Sequence, residues 1–272
     1  MRSSSAIFLS LFASVTASRP RLHAVTYANI PDPRVALSVG TAELHGFYPV
    51  VVGYGHEATW AYGLATLANK VRSYIFNKTN GDDIILFFDA WDVIFQGGEE
   101  EIVDRFLDIE RREQRSLIYH AEASCTSSRV DDYPPTKSTW RYLNCGLYIG
   151  RSWAMRELYK NPLKDPLQDK EGRSIRLQNW HTEYFLDNQD TVALDTGCEL
   201  MQVVLAIESL HGLADHLDDP GARGLVVSDG KLVNTVTHTT PPILHFPGVG
   251  HWPDWWHEER VGTCTAYEFF RD

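Results

Sequence analysis

Residues 84–88 read Ile-Ile-Leu-Phe-Phe, an unbroken apolar run that ends in Asp89-Ala90-Trp91-Asp92. A strand with no polar alternation is buried on both faces, the kind found inside mostly parallel sheets covered by helices. Open α/β sheets bind their ligands at the C-terminal ends of such strands. Two carboxylates three residues apart at that place offer hard oxygen donors suited to Mg²⁺ or Mn²⁺. Taken alone, a D-x-x-D is more often a loop acid followed by a helix-capping acid. Its position directly after a doubly buried strand is what favours a cation site.

The chain around this strand alternates. Residues 22–27 read as a first strand and 34–45 as a helix, and 50–53 form a second strand ended by Gly53 and Gly55. Leu64, Leu67, Ala68, Val71 and Ile75 then recur at helical spacing over 63–76. After the buried run, residues 99–113 place Ile102, Val103, Phe106, Leu107 and Ile109 on one side, with an acidic start and an Arg-rich finish that suit the helix dipole. Residues 117–121 are another short strand. Alternating strands and helices imply right-handed crossovers and a mostly parallel sheet. Neither G-x-G-x-x-G nor G-x-x-x-x-G-K-[ST] follows the first strand, which argues against a dinucleotide fold or a P-loop.

The second half is less regular. Residues 124–139 are a polar loop containing Pro134-Pro135, 140–150 an aromatic-rich strand region, 153–159 a helix and 160–176 a charged loop. Residues 226–236 read as a hairpin turning at Asp229-Gly230. A last strand, Ile243-Leu244-His245, runs into a loop whose Gly248 and Gly250 allow close backbone approach to an anionic ligand. With neither repeat nor linker, residues 19–272 are expected to form one domain.

A net charge of −11 without a basic block argues against a nucleic-acid partner. The first 18 residues, with Arg2, an apolar 6–15 and a small-x-small Val15-Thr16-Ala17, read as a secretory signal too short to span a membrane. The rest of the chain offers no candidate membrane span. Cys125, Cys145, Cys198 and Cys264 allow two disulfides in that compartment, and the absence of C-x-x-C speaks against zinc. Asn77-Lys78-Thr79 is a glycosylation sequon. His245, at the end of an apolar strand, is a candidate third ligand beside Asp89 and Asp92, although a lone histidine at such a place is more often structural.

Five ordered blocks resemble one family. Leu86-Phe87-Phe88-Asp89-Ala90-Trp91-Asp92-Val93 is similar to the D-x-[YW]-D-V segment of the glycosyltransferase domain of procollagen lysyl hydroxylases and related collagen-modifying transferases. Residues 119–125 are similar to that family's S-A-E-x-x-C, residues 141–150 to R-[FY]-L-[NG]-S-G-G-[FY]-I-G, residues 193–202 to L-D-x-x-C-x-[IL]-[FM]-Q, and residues 242–248 to P-[IV]-[VL]-H-x-N-G. The resemblance spans about residues 22 to 256. It implies a GT-A fold, an α/β architecture with a mostly parallel sheet flanked by helices and a Rossmann-like nucleotide-binding half. That fold binds a UDP-sugar, UDP-galactose or UDP-glucose, through Mn²⁺ or Mg²⁺.

On that resemblance Asp89, Asp92 and His245 match the metal ligands, and Lys70 a basic residue near the donor. Thr26 falls on the strand where the nucleotide sits, and Gly146 lies against the sugar. Trp91, Asn144 and Gly248 fall in the donor-binding blocks, and His251 stands near the place of a further basic residue. The implied acceptor is a protein or glycan hydroxyl, hydroxylysine among them, in the ER or Golgi lumen or outside the cell. The family's Asp-rich stretch is replaced by Asn179-Trp180-His181-Thr182-Glu183-Tyr184-Phe185, where Glu183 and His181 are the candidates for orienting the sugar or acting on the acceptor hydroxyl. Two other readings compete. One is a catalytically inactive relative that binds glycan or protein, with Trp252, Trp255 and Trp256 stacking on sugars. The other is a non-haem iron oxygenase using His181, Glu183 and either His238 or His245.

Overall fold

The computed structural model describes residues 19–30, 32–58, 63–125, 127–204 and 224–247. The expected signal at 1–18 and Gly248, His251, Cys264 and the three C-terminal tryptophans lie outside the described residues. The main sheet contains β1 (Leu22–Tyr27), β2 (Val50–Val52), β3 (Ile84–Asp89), β5 (Leu117–Glu122), β6 (Tyr142–Arg151) and β7 (Val192–Asp195), in the spatial order β2-β1-β3-β6-β5-β7. Only β6 runs against the others, pairing antiparallel with both β3 and β5. The mostly parallel α/β architecture expected from the sequence is therefore the one observed.

β3 has helices on both faces. Ile85 and Phe87 join Val25, Tyr119 and Tyr148 in a core closed by α2 (Ala65–Lys78), α4 (Ser152–Leu158) and α5 (Leu177–Asp187) through Val71, Ile75, Met155 and Phe185. Ile84, Leu86 and Phe88 face the other way, into a core with Ala42 of α1 (Pro33–Leu44) and Ile102, Val103, Phe106 and Ile109 of α3 (Glu99–Glu113). Ile84 to Phe88 are at most 2% exposed, so each side chain contributes about 1.5–3 kcal/mol of burial, and neither face could turn polar without loss. α3 carries Glu99, Glu100 and Glu101 in its first turn and Arg111 and Arg112 in its last, as the dipole favours.

A second, three-stranded sheet sits at the end of the first, in the order β4-β11-β8, with β4 at Val93–Phe95, β8 at Met201–Val203 and β11 at Ile243–His245. The expected hairpin is β9 (Leu225–Ser228) and β10 (Lys231–Asn234). Asp229 and Gly230 at its turn both have positive φ, 49° and 69°, as a two-residue hairpin turn of the primed type requires.

The expected pair of disulfides is not formed. Cys125, Cys145 and Cys198 are free thiols. Cys145 lies within β6 and Cys125 beyond β5, both against the first core, whereas Cys198 is buried in a third cluster with Trp140 and Leu244. Two bridges need at least one pair among these three. The sequon hydroxyl of Thr79 is also committed, donating to the Ile75 carbonyl (2.8 Å) at the end of α2. Among the described residues, no helix is long and apolar enough to cross a membrane.

Candidate metal centre

Asp89 ends β3, and three residues later Asp92 leads straight into β4. β11 pairs antiparallel with β4, placing His245 opposite Val93. The backbone fixes this register on both sides: Phe246 N–H donates to the Asp92 carbonyl (2.8 Å), and Val204 N–H donates to the His245 carbonyl (2.7 Å). His245 Nε2 thereby lies 3.2 Å from Asp92 Oδ1 and 3.9 Å from Asp89 Oδ2. Ligand atoms from all three residues fall within 4.8 Å of one another.

These groups converge without satisfying each other. Asp92 Oδ1 and His245 Nε2 are both buried, yet neither has a hydrogen-bond partner among the described residues, so their close approach is not an aligned bond. A buried polar atom left unpaired costs about 1–3 kcal/mol, so a site built this way favours a partner for both. Two carboxylates and an imidazole also carry the charge and donor types that a divalent cation accepts. The residues present fit such an ion. Desolvation raises the Asp89 carboxyl above its ordinary value, with Asp92 adding to the rise and His245 opposing it. Burial alone would lower His245, but the facing Asp92 and Asp89 outweigh it and raise the ring above its ordinary value. The like-charge repulsion between Asp89 and Asp92 is what a bound dication relieves.

β6 closes the floor of the site. Leu147 pairs with Phe88, which brings Gly146 beside Asp89. A Cβ on Gly146 would stand 2.7 Å from Asp89 Oδ2 and 2.9 Å from His245 Nε2, closer than real atoms allow, so only glycine leaves the ligands in place. The pairing of β5 with β6 is irregular here, jumping from Tyr119–Tyr148 to His120–Asn144, and bulges of this kind re-aim side chains next to functional sites. Two amides hold the irregular segment: Asn144 Oδ1 accepts from Gly146 N–H (2.8 Å), while Gln178 of α5 accepts from Cys145 N–H (2.8 Å) and donates to the Leu143 carbonyl (2.6 Å). Two side chains on β5 border the site without having been singled out from sequence. Glu122, 7% exposed, is raised above its ordinary value by burial, against a hydrogen bond from Asn144, and the His120 ring lies tilted beside that of His245. Nothing in the spacing of residues 119–125 marks either one.

The other expected residues scatter. Thr26 is fully buried and donates to the Phe88 carbonyl (2.7 Å), locking β1 onto β3. Trp91 adjoins the site, with the Arg34 guanidinium 5.4 Å above its ring. Arg34 is held there by Asp32 (2.9 and 2.8 Å), near enough for its charge to feel Asp92. Lys70 is on the surface, 2.8 Å from His56 Nε2. Glu183 pairs with Arg129 (2.8 Å), which also holds Asp132 and Asp187.

His181 is placed in the core rather than at the sugar. It is 1% exposed, Nδ1 meets the Tyr119 hydroxyl (2.7 Å), and its ring packs against Tyr148, Tyr159 and Trp180. The iron reading loses its ligand set with it: among the described residues, the one group of three metal-capable side chains is Asp89, Asp92 and His245.

Burial lowers His181 to about 3, against an ordinary value of 6.5. The folded form therefore binds fewer protons than the unfolded chain between those limits. Stability should fall on acidification through that window by about 1.4 kcal/mol per pH unit for this one group. Urea titrations from pH 7 to 4 should show a shallower slope for His181→Phe than for wild type. Equal slopes would mean that the ring can charge where it sits.

A mainly parallel α/β sheet with a cation-binding cluster at its strand ends defines a domain suited to handling a phosphorylated small molecule. The family model described as PLOD GT domain matches residues 53–251, and the chain belongs to that family. A procollagen-lysine,2-oxoglutarate 5-dioxygenase of Drosophila melanogaster is 26% identical over 242 residues, covering 84% of this chain and 31% of the relative. A multifunctional procollagen lysine hydroxylase and glycosyltransferase of Caenorhabditis elegans is 24% identical over 251 residues, covering 88% and 32%. The chain thus spans about a third of the length of these curated relatives. Among solved structures, mouse xyloside xylosyltransferase 1 superimposes with a TM-score of 0.49 at 13% identity, covering 83% of this chain and 97% of that one.

Proposed function

We propose that this domain is a divalent-cation-dependent glycosyltransferase that moves a hexose, galactose or glucose, from UDP to a hydroxyl acceptor. The acceptor is hydroxylysine of a collagen-like protein or a sugar of another glycan, met in the lumen of the secretory pathway. The convergence of Asp89, Asp92 and His245 Nε2 on one point carries the reading. The names of the relatives, which join collagen lysine to glycosyltransfer, support the acceptor class.

Mn²⁺ or Mg²⁺ at this cluster supplies Lewis-acid stabilisation of the departing diphosphate. Asp89 and Asp92 provide the negative oxygens that hold it, and His245, clamped between β4 and β8, fixes the third direction. Gly146 keeps the floor open. Arg34, pre-positioned by Asp32, adds a positive charge on the Asp92 side that favours a diphosphate over a neutral sugar. Lys70, Trp91, Asn144, Gly248 and His251 complete the donor side in this reading. Glu183 is the proposed acceptor-side carboxylate, since its side chain is one-third exposed while His181 is sealed. The sugar C1–O bond to diphosphate breaks and UDP departs with that oxygen, while the acceptor oxygen bonds to C1 and gives its proton to Glu183.

UDP release from UDP-galactose and UDP-glucose, measured with Mn²⁺, after EDTA, and for Asp92→Ala, tests this. Both EDTA and the substitution should lower turnover by at least about a hundredfold, because even outer-shell partners of metal ligands contribute about 10–100-fold. One observation favours a second reading, a binding relative without turnover: Glu183 is occupied by Arg129 and His181 by Tyr119. Cation-dependent UDP binding with no release from either donor would select that reading.

A further inference from the structure

His120 is fully buried on β5, and neither of its ring nitrogens has a hydrogen-bond partner among the described residues. Its ring centre lies 5.1 Å from that of His245, with the planes inclined at 48°. His245 Nδ1 is buried and unpartnered as well. Glu122, the carboxylate on the same strand, is committed elsewhere: Ser124 donates to it (3.3 Å), and it is bonded to Asn144. Three orphaned nitrogens on two neighbouring rings are therefore left facing a common need. Buried polar groups in that condition are commonly satisfied by an ordered water that bonds to several of them. A histidine that ligates through one nitrogen nearly always donates its other N–H to such a partner, which fixes both tautomer and ring direction.

We propose that His120 is a positioning residue for His245: through one shared buried water it accepts the Nδ1–H of His245, leaving the Nε2 lone pair for the cation that Asp89 and Asp92 would share. The proposal rests on the cation reading above.

The test uses the full chain and compares wild type with His120→Gln, whose carbonyl can accept, and with His120→Leu and His120→Phe, which cannot. Two acceptor-less variants of different shape are used so that one folded example suffices, judged by its melting curve. Calorimetric titration with Mn²⁺ should find affinity about 10–100-fold weaker in the acceptor-less variants and restored in His120→Gln. Wild-type affinity in a folded acceptor-less variant, or equal loss in His120→Gln, would overturn the proposal alone. A wild type that binds no Mn²⁺ would overturn the cation reading and the proposal with it.

Discussion

Gly146→Ala is expected to weaken Mn²⁺ binding and UDP release by about a hundredfold or more while the protein stays folded. One methyl group is enough, because it would be placed 2.7 Å from Asp89 Oδ2 and 2.9 Å from His245 Nε2. His245 cannot yield, being 1% exposed, with its carbonyl held by Val204 N–H and the next residue, Phe246, bonded to the Asp92 carbonyl. Asp89 must therefore swing away, and the site loses the end of the strand that defines it. Gly146 is not among the residues with positive φ, so alanine brings no backbone strain. The structural cost is overpacking alone, about 1–3 kcal/mol. Calorimetric Mn²⁺ titration beside a thermal melt separates the two effects. Wild-type affinity in the variant would show that Gly146 does not abut the ligands.

Asp195→Ala should act in the opposite way, on stability first. Asp195 ends β7, is 3% exposed, and accepts from the backbone N–H groups of Glu199 (2.9 Å), Leu200 (2.8 Å) and Met201 (2.9 Å). This carboxylate shapes the turn that delivers β8 to β11, where Val203 lies opposite His245. Alanine leaves three donors with nothing to bond, and two of them are buried. At about 1–3 kcal/mol for each orphaned group, partly relieved by relaxation, the loss should be roughly 3–5 kcal/mol. Urea unfolding followed by tryptophan fluorescence measures it. A loss below about 1 kcal/mol would mean that the turn holds without its carboxylate. The fraction that remains folded should bind Mn²⁺ more weakly, since β8 is one of the two strands that clamp His245.

The parts of this domain legible in the sequence are those where one pattern dominates. Ile84 to Phe88 could only be a doubly covered strand, and the stripe from Ile102 to Ile109 could only be one face of a helix. Asp89 and Asp92 were conspicuous because they follow that strand. α5 was not legible, because its buried face is Leu177, His181, Thr182, Phe185 and Leu186, in which two polar residues break the apolar spacing. The same mixture made His181 look available for chemistry, when Tyr119 supplies the partner that lets it be buried. β4 and β8, three residues each, are too short to show any period. Their existence depends on pairing with β11 across a long stretch of chain. His245 was found by its place at a strand end, but its contact with His120 belongs to the bulge between β5 and β6. Gln178, which replaces missing strand partners on that bulge, carries no local signal at all.

In the proposed function, Asp89, Asp92 and His245 hold a divalent cation that carries a nucleotide diphosphate. Crystals grown with Mn²⁺ and UDP, with anomalous data collected at the manganese edge, test it most directly. A single peak bounded by an oxygen of Asp89, an oxygen of Asp92, Nε2 of His245 and diphosphate oxygens is the predicted result. UDP bound with no peak there, or a peak on other residues, would contradict it.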